Sequence, residues 1–322
     1  MRDMSRRPPP GVGSYRIGRI RPGRRVVLVR NRDFRLPGVP GGLVDALTFR
    51  QGESPADEVE AVTNGQLDVM TDVPPHGRLP ELRSELSDRY FEAPDLTTRY
   101  LFVHADRPPF SDPKLREALA LAIDKPEAAR LLAGLAHPTC NLLPPSLQPP
   151  DESDSCPWGD VEEHPDLVRA RELVEESGAQ NQRVLVHGSR ADRPVTRLYV
   201  RTLRTIGLGA RIAPGRGADI TLATASSPLP DAGRFLVPLA RRVPLVADPE
   251  AQLLADELAH AGDSDDAARL AAQLDRQLTS DGVVVPYAAP SRTVFLSARI
   301  DVDNCLRIHP VYGLDISGLC LR

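Results

Sequence analysis

Between residues 99 and 296, short apolar segments rich in valine and leucine alternate with segments of helical periodicity. This alternation restricts the chain more than any other feature, because strands separated by helices pack most simply as a sheet covered by helix layers. Arg99, Tyr100, Leu101, Phe102 and Val103 read as a strand. Asp112 then stands where it can cap a helix, and Pro113 takes the first helical position, where its missing N–H is not needed. Leu115, Ala118, Leu119, Ala122 and Ile123 recur at helical spacing as one buried stripe. Pro126 opens a second helix, and Pro165 a third that Gly178 closes. Residues 183–187 predict a strand, 194–206 a helix stopped by Gly207, and 208–212 and 219–223 two further strands. Helices are expected from Pro249 and Ser264, and two separate late strands at 283–287 and 293–296. Upstream, strands are expected at 13–17, 26–29, 44–49 and 67–70, with a helix at 55–64. The tail after Asp301 reads as irregular. The fold class is α/β with mixed sheets.

A chain of 322 residues has room for two domains at roughly 100–200 residues each. Its 41% hydrophobic and 26% charged residues are ordinary for a globular protein and exclude a disordered one. The net charge of −4 gives no global reason to expect nucleic acid or an anionic membrane as partner. Lys114 and Lys125 are the only lysines among 40 basic residues. The arginine excess therefore reads as compositional bias, and the seven arginines from Arg16 to Arg32 as solvated strand edges. No apolar run approaches the ~18 residues of a membrane span. Residues 1–10 lack the apolar core of a signal peptide.

Catalytic and cofactor signatures fail. Gly11, Gly13 and Arg16 begin like a dinucleotide fingerprint, but arginine replaces the third glycine and a strand follows where a helix is needed. There is no phosphate-loop, nucleophile-elbow or HExxH motif, and the scattered histidines, His104 and His309 among them, suggest no metal site. No catalytic residue, cofactor or metal is expected. The four cysteines, Cys140, Cys156, Cys305 and Cys320, fit two disulfides, or one disulfide and two buried thiols. Cys140 and Cys156 flank a segment rich in Pro, Ser and Asp that offers no core for a thiol, so a disulfide between them is expected. Pairing of Cys305 with Cys320 stays open.

Several ordered segments resemble the family 5 solute-binding proteins of ABC importers, the dipeptide, oligopeptide and nickel binders. Residues 11–17 followed by Arg30-Asn31-Arg32-Asp33-Phe34 are similar to that family's G-T-G-P-Y strand and R-N-x-D-Y. Ala61-Val62-Thr63-Asn64-Gly65-Gln66-Leu67-Asp68 resembles A-L-x-x-G-E-I-D. The strongest match runs from Pro109-Phe110-Ser111-Asp112 through Arg116-Glu117-Ala118-Leu119 to Ala122-Ile123-Asp124-Lys125, where the family reads P-F-x-D-x-R-V-R-Q-A-L-x-x-A-I-D-R. Ala136-His137-Pro138, Leu143-Pro144-Pro145, the 169–178 helix and Thr205-Ile206-Gly207-Leu208 follow in the family's order. Each motif is weak alone; their shared order over nearly the whole chain is specific. Two departures stand out: the G-T-G-P-Y-like strand already begins at residue 11, and the family's W-x-x-D-Y-P-D-P segment is reduced to Pro228-Leu229-Pro230-Asp231-Ala232, without tryptophan.

The resemblance implies a two-lobed clamp of the periplasmic-binding-protein type (type II) with part of the first lobe missing. Residues 1–98 and 287–322 would belong to the first lobe and residues 99–286 to the second, with a hinge at Tyr100, Leu101, Pro286 and Tyr287. It implies a monomeric, extracytoplasmic binding component that closes on a peptide or similar small solute and hands it to a membrane permease. An upstream extension completing the first lobe is expected, and membrane association only through a partner or such an extension. Asp231 leaves a strand into a proline-restricted loop, a setting that suits a ligand group. The resemblance implies that its carboxylate meets the α-amino group of a bound peptide, while capping of the next turn is the competing role. Two other function classes compete: a binding-protein-like ligand sensor within a regulatory protein, and a hydrolase without a visible nucleophile–base pair. Ligand identity is not encoded in these motifs.

Overall fold

A computed structural model describes residues 11–148, 156–161, 164–215, 217–242, 249–309 and 313–322. The start of the chain and much of the Pro-, Ser- and Asp-rich loop, residues 149–155, lie outside the described residues. In chain order the elements are β1 (Tyr15–Arg21), β2 (Arg25–Arg30), β3 (Ala46–Arg50), α1 (Pro55–Thr63), β4 (Val69–Met70), α2 (Leu79–Ser84), β5 (Tyr90–Pro94) and β6 (Thr97–Val103). Then come α3 (Pro113–Ala122), α4 (Lys125–Leu131), β7 (Ala136–Pro138), α5 (Leu167–Glu176), β8 (Arg183–His187), α6 (Arg193–Thr205), β9 (Gly209–Ile212) and β10 (Ile220–Ser226). The chain closes with α7 (Ala232–Arg242), α8 (Pro249–His260), α9 (Ser264–Ser280), β11 (Val284–Leu296), α10 (Val302–Cys305), β12 (Ile308–His309) and β13 (Gly313–Leu314). Two compact units result: Met1–Ala93 with Arg292–Arg322, and Pro94–Ser291.

The second unit is built on a mixed sheet in the order β11-β6-β10-β8-β9. β8 is parallel to β9 and β10, and β6 is antiparallel to both β10 and β11. Strand alternation sorts β6 between two cores. Leu101 and Val103 enter one with residues of α3, α5 and α6, while Tyr100 enters the other with residues of α7, α8 and α9. Both faces are thus covered by helices, as runs of apolar residues in β8 and β10 require. Each fully buried Leu, such as Leu101, Leu119 or Leu203, contributes about 1.5–3 kcal/mol of burial free energy.

Aspartates start several of these helices by accepting an N–H that the first turn leaves unpaired. Asp112 caps α3 through Lys114 N at 2.9 Å, Asp124 caps α4 through Glu127 N at 2.9 Å, and Asp166 caps α5 through Arg169 N at 2.9 Å. Several features depart from expectation, among them α2, β5 and β7, which were not read from the sequence. The late strands at 283–287 and 293–296 are one strand, β11, carrying Pro286 and Pro290, with a bulge between Pro286 and Ala288. Helix α7 was not foreseen; Pro238 lies inside it, where proline normally interrupts a helix, yet Phe235, Leu236 and Leu239 bury against α8 and α9. The tail after Asp301 holds a short helix and the β12–β13 pair.

In the first unit β1, β2 and β3 form an antiparallel sheet, and the last residues of β11 pair with β4, Phe295 opposite Met70. Ser297 Oγ donates to Asp68 Oδ1 at 3.2 Å beside this pairing. Cys305 and Cys320 are joined by a disulfide, which closes the question left by their spacing.

Candidate functional site

Topology gathers polar side chains at one edge of the second unit's sheet. β8 and β10 are parallel, so the loops after them leave at the same edge; β6 is antiparallel to β10, so its first residues start there. That carboxyl edge of parallel strands is where open α/β sheets meet ligands. Arg99 lies on β6 in register with Thr224 of β10 and Ala288 of β11. Its Nη1 donates to Asp192 Oδ1 and to Thr224 Oγ1, each at 2.9 Å. Asp192 ends the loop after β8 and is 4% exposed. Ser189 Oγ donates to its other carboxylate oxygen at 2.6 Å, and Thr196 Oγ1 donates to its backbone carbonyl at 2.9 Å. Gly188 is required in this loop, because a Cβ there would collide with the Thr196 hydroxyl.

These bonds hold Arg99 in one orientation. Its other N–H groups have no hydrogen-bond partner among the described residues, and the side chain stays 25% exposed. A guanidinium fixed in this way offers donors that match a carboxylate. Tyr287 on β11 stacks edge-on against Tyr199 of α6, with ring centroids 5.5 Å apart. Burial pushes the Tyr287 phenol above its ordinary pKa; nearby Arg99 pulls it down and Asp192 pushes it up. Ser189 Oγ donates to a carboxylate that is already paired with Arg99.

Asp231 follows β10 at the same edge. Its Oδ1 accepts the Arg234 N–H at 2.7 Å and so caps α7, while the residue is exposed and the other carboxylate oxygen has no partner among the described residues. The capping role weighed from the sequence is thus occupied by one oxygen. Tyr100, Leu101 and Pro286 lie within paired strands of the second unit, Pro286 opposite Tyr100, and Tyr287 at the β11 bulge; the two units meet along the chain at Ala93–Pro94 and Ser291–Arg292. Arg99, Asp192 and Thr224 escaped the sequence reading. They are 93 and 125 positions apart from Arg99, and no spacing pattern connects them.

Cys140 and Cys156 form a disulfide with Cα atoms 5.4 Å apart. Beside it Asp275 of α9, 5% exposed, accepts the N–H groups of Leu142 and Leu143 at 2.8 Å each. Trp158 Nε1 donates to the Thr279 carbonyl at 3.1 Å, so α9 anchors the loop on both sides of the bridge. Asp301 lies close to Cys305 and Cys320, but both sulfurs are in a disulfide and cannot serve as thiolate ligands.

The profile of the bacterial extracellular solute-binding proteins, family 5 Middle, matches residues 2–256. The chain belongs to this family. The glutathione-binding protein GsiB of Escherichia coli (strain K12) is 26% identical over 174 residues, which are 54% of this chain and 32% of that protein. This family 5 chain therefore aligns with about a third of its curated relative's length. Among solved structures, the clavulanic acid biosynthesis oligopeptide binding protein 2 superposes with a TM-score of 0.84 at 20% identity, over 98% of this chain and 64% of that one. HbpA2 from Haemophilus parasuis gives 0.80 at 17% identity, over 96% and 64%. The α/β fold of this chain is that of family 5 binding proteins, and it spans somewhat under two thirds of their length. Among the described residues no helix is long and apolar enough to cross a membrane.

Proposed function

We propose that this family 5 chain is the substrate-binding component of an ABC import system. It holds a peptide or similar small solute outside the cytoplasm and delivers it to a membrane permease. The observation that carries this reading is the sheet edge of the second unit, where Arg99, held by Asp192 and Thr224, and Asp231, whose one oxygen caps α7, each keep polar atoms unpartnered among the described residues. Two oppositely charged groups at one edge suit a zwitterionic solute. Relatives described as oligopeptide- and glutathione-binding support a peptide-like ligand. The two disulfides suit an oxidising compartment.

Native mass spectrometry of the full-length protein, with any segments beyond these 322 residues, against a random tripeptide library tests the reading, and retained peptides are expected. Retained sequences are then resynthesised with free and acetylated N-termini. Asp231→Asn is expected to weaken the free-amine forms about tenfold or more and the acetylated forms far less, as a charge-assisted bond of roughly 1.5–3 kcal/mol requires. Equal loss for both sets removes Asp231 from the amine site; retention of no peptide removes the peptide reading itself.

A further inference from the structure

The β1–β2–β3 sheet puts five of its six arginines on one face. Arg16 is paired with Val29, Arg19 with Val27, Arg21 with Arg25, and Arg25 with Arg50. Directly paired residues of an antiparallel sheet project from the same face. Arg16, Arg19, Arg21, Arg25 and Arg50 therefore share one face with Val27, Val29, Ala46 and Thr48, while Ile17, Ile20, Val26, Leu28, Leu47 and Phe49 share the other with Tyr15 and Arg30. Arg16, Arg19, Arg21 and Arg50 are exposed and Arg25 half-buried, while on the other face Ile17 and Phe49 are 38% and 46% exposed.

Arg21, Arg25 and Arg50 form one row across three strands, although like charges directly opposite each other destabilise a sheet. Among the described residues Arg16, Arg19, Arg21 and Arg25 have no carboxylate partner, and Arg50 reaches Glu53 only at 3.9 Å. A preference for arginine over lysine does not explain this, since it would leave the acids in place. Residues 11–50 hold nine arginines with only Asp33 and Asp45, in a chain of net charge −4. Asp45 is taken by Arg30.

We propose that this face docks the protein on the anionic phospholipid surface of a membrane. Guanidinium groups match phosphate oxygens in pairs. The loop joining β2 and β3 carries Leu36, Val39 and Leu43 at 55%, 41% and 53% exposure near Arg32 and Arg35. Exposed apolar side chains among arginines suit a bilayer interface. A single-stranded nucleic acid would ask for aromatic stacking platforms, and the arginine face carries no aromatic residue.

The test is co-sedimentation of the 322-residue chain with vesicles of phosphatidylcholine alone and with about one third phosphatidylglycerol. Binding is expected only to the anionic vesicles, falling as salt screens the charges. With each arginine contributing about fivefold, a variant with Arg16, Arg19, Arg21 and Arg25 all changed to Gln should lose several hundredfold, whereas the four Lys changes should keep most of it. Changing Arg197, Arg201 and Arg211 to Gln on the second unit should have little effect. The proposal is overturned by no binding to anionic vesicles, by equal loss in the second-unit variant, or by a Lys variant as weak as the Gln variant. Tight binding to duplex DNA without vesicle binding would assign the face to nucleic acid instead.

Discussion

Asp275→Ala is expected to lower the unfolding free energy of the second unit by about 3 kcal/mol. The carboxylate accepts two backbone N–H groups, Leu142 and Leu143, in a site shut off from water. Removing it leaves two buried donors, each costing about 1–3 kcal/mol, partly offset by relief of the buried charge. Asp275→Asn keeps one acceptor and should lose about half as much. Burial holds this carboxyl up at about 6, while the Leu143 and Leu142 N–H groups and Arg276 pull it down. A native value above the unfolded value near ~3.9 means that the native state holds the proton longer. The stabilisation is therefore complete below pH ~4 and is lost as the pH rises through about 6, by roughly 2–3 kcal/mol. Urea unfolding of wild type and Asp275→Asn from pH 4.5 to 7.5 reads this directly, since the variant lacks the titration. An Asp275→Ala protein within about 1 kcal/mol of wild type, or parallel pH curves, would show that the loop does not depend on this carboxylate.

Replacing Cys140 and Cys156 together with serine is expected to cost roughly 3 kcal/mol. The bridge spans 16 positions, and in the chain-entropy model closing a loop of that size removes about this much freedom from the unfolded chain. Because α9 also anchors the loop through Asp275 and Trp158, the serine variant should keep its folded spectrum and lose stability only. Denaturant melts should place the serine variant below the oxidised protein, and the reduced serine variant level with the reduced wild type, in which the Cys305–Cys320 bridge is open as well. A reduced protein as stable as the oxidised one would exclude the bridge as a stabiliser, and free thiols at both positions in protein from an oxidising compartment would exclude it altogether.

Local chemistry made much of the fold readable. The Asp112–Pro113 start and apolar stripe of α3 need only neighbours three and four positions away, and β8 was legible to its end residues. The order of weak motifs also pointed to the family. What failed were places where distant packing overrules a local rule. Pro238 sits inside α7 because Phe235, Leu236 and Leu239 bury against α8 and α9, which outweighs one lost helical bond. Two late strands were expected at 283–287 and 293–296, but they are one strand that runs on through a bulge and pairs with successive neighbours.

Sequence alone determined many of the strands and helices, α3 and β8 among them, because capping, proline position and apolar period act over a few residues. It also marked Cys140–Cys156 as a loop closure and Asp231 as the residue leaving β10. Only the tertiary structure decided which charges meet. Strand order brings Arg99, Asp192 and Thr224 together across 93 and 125 positions, and strand register puts five arginines on one face of a sheet. Both follow from pairing between segments far apart or from a one-residue register choice, and a shift of one residue would send every side chain to the other face.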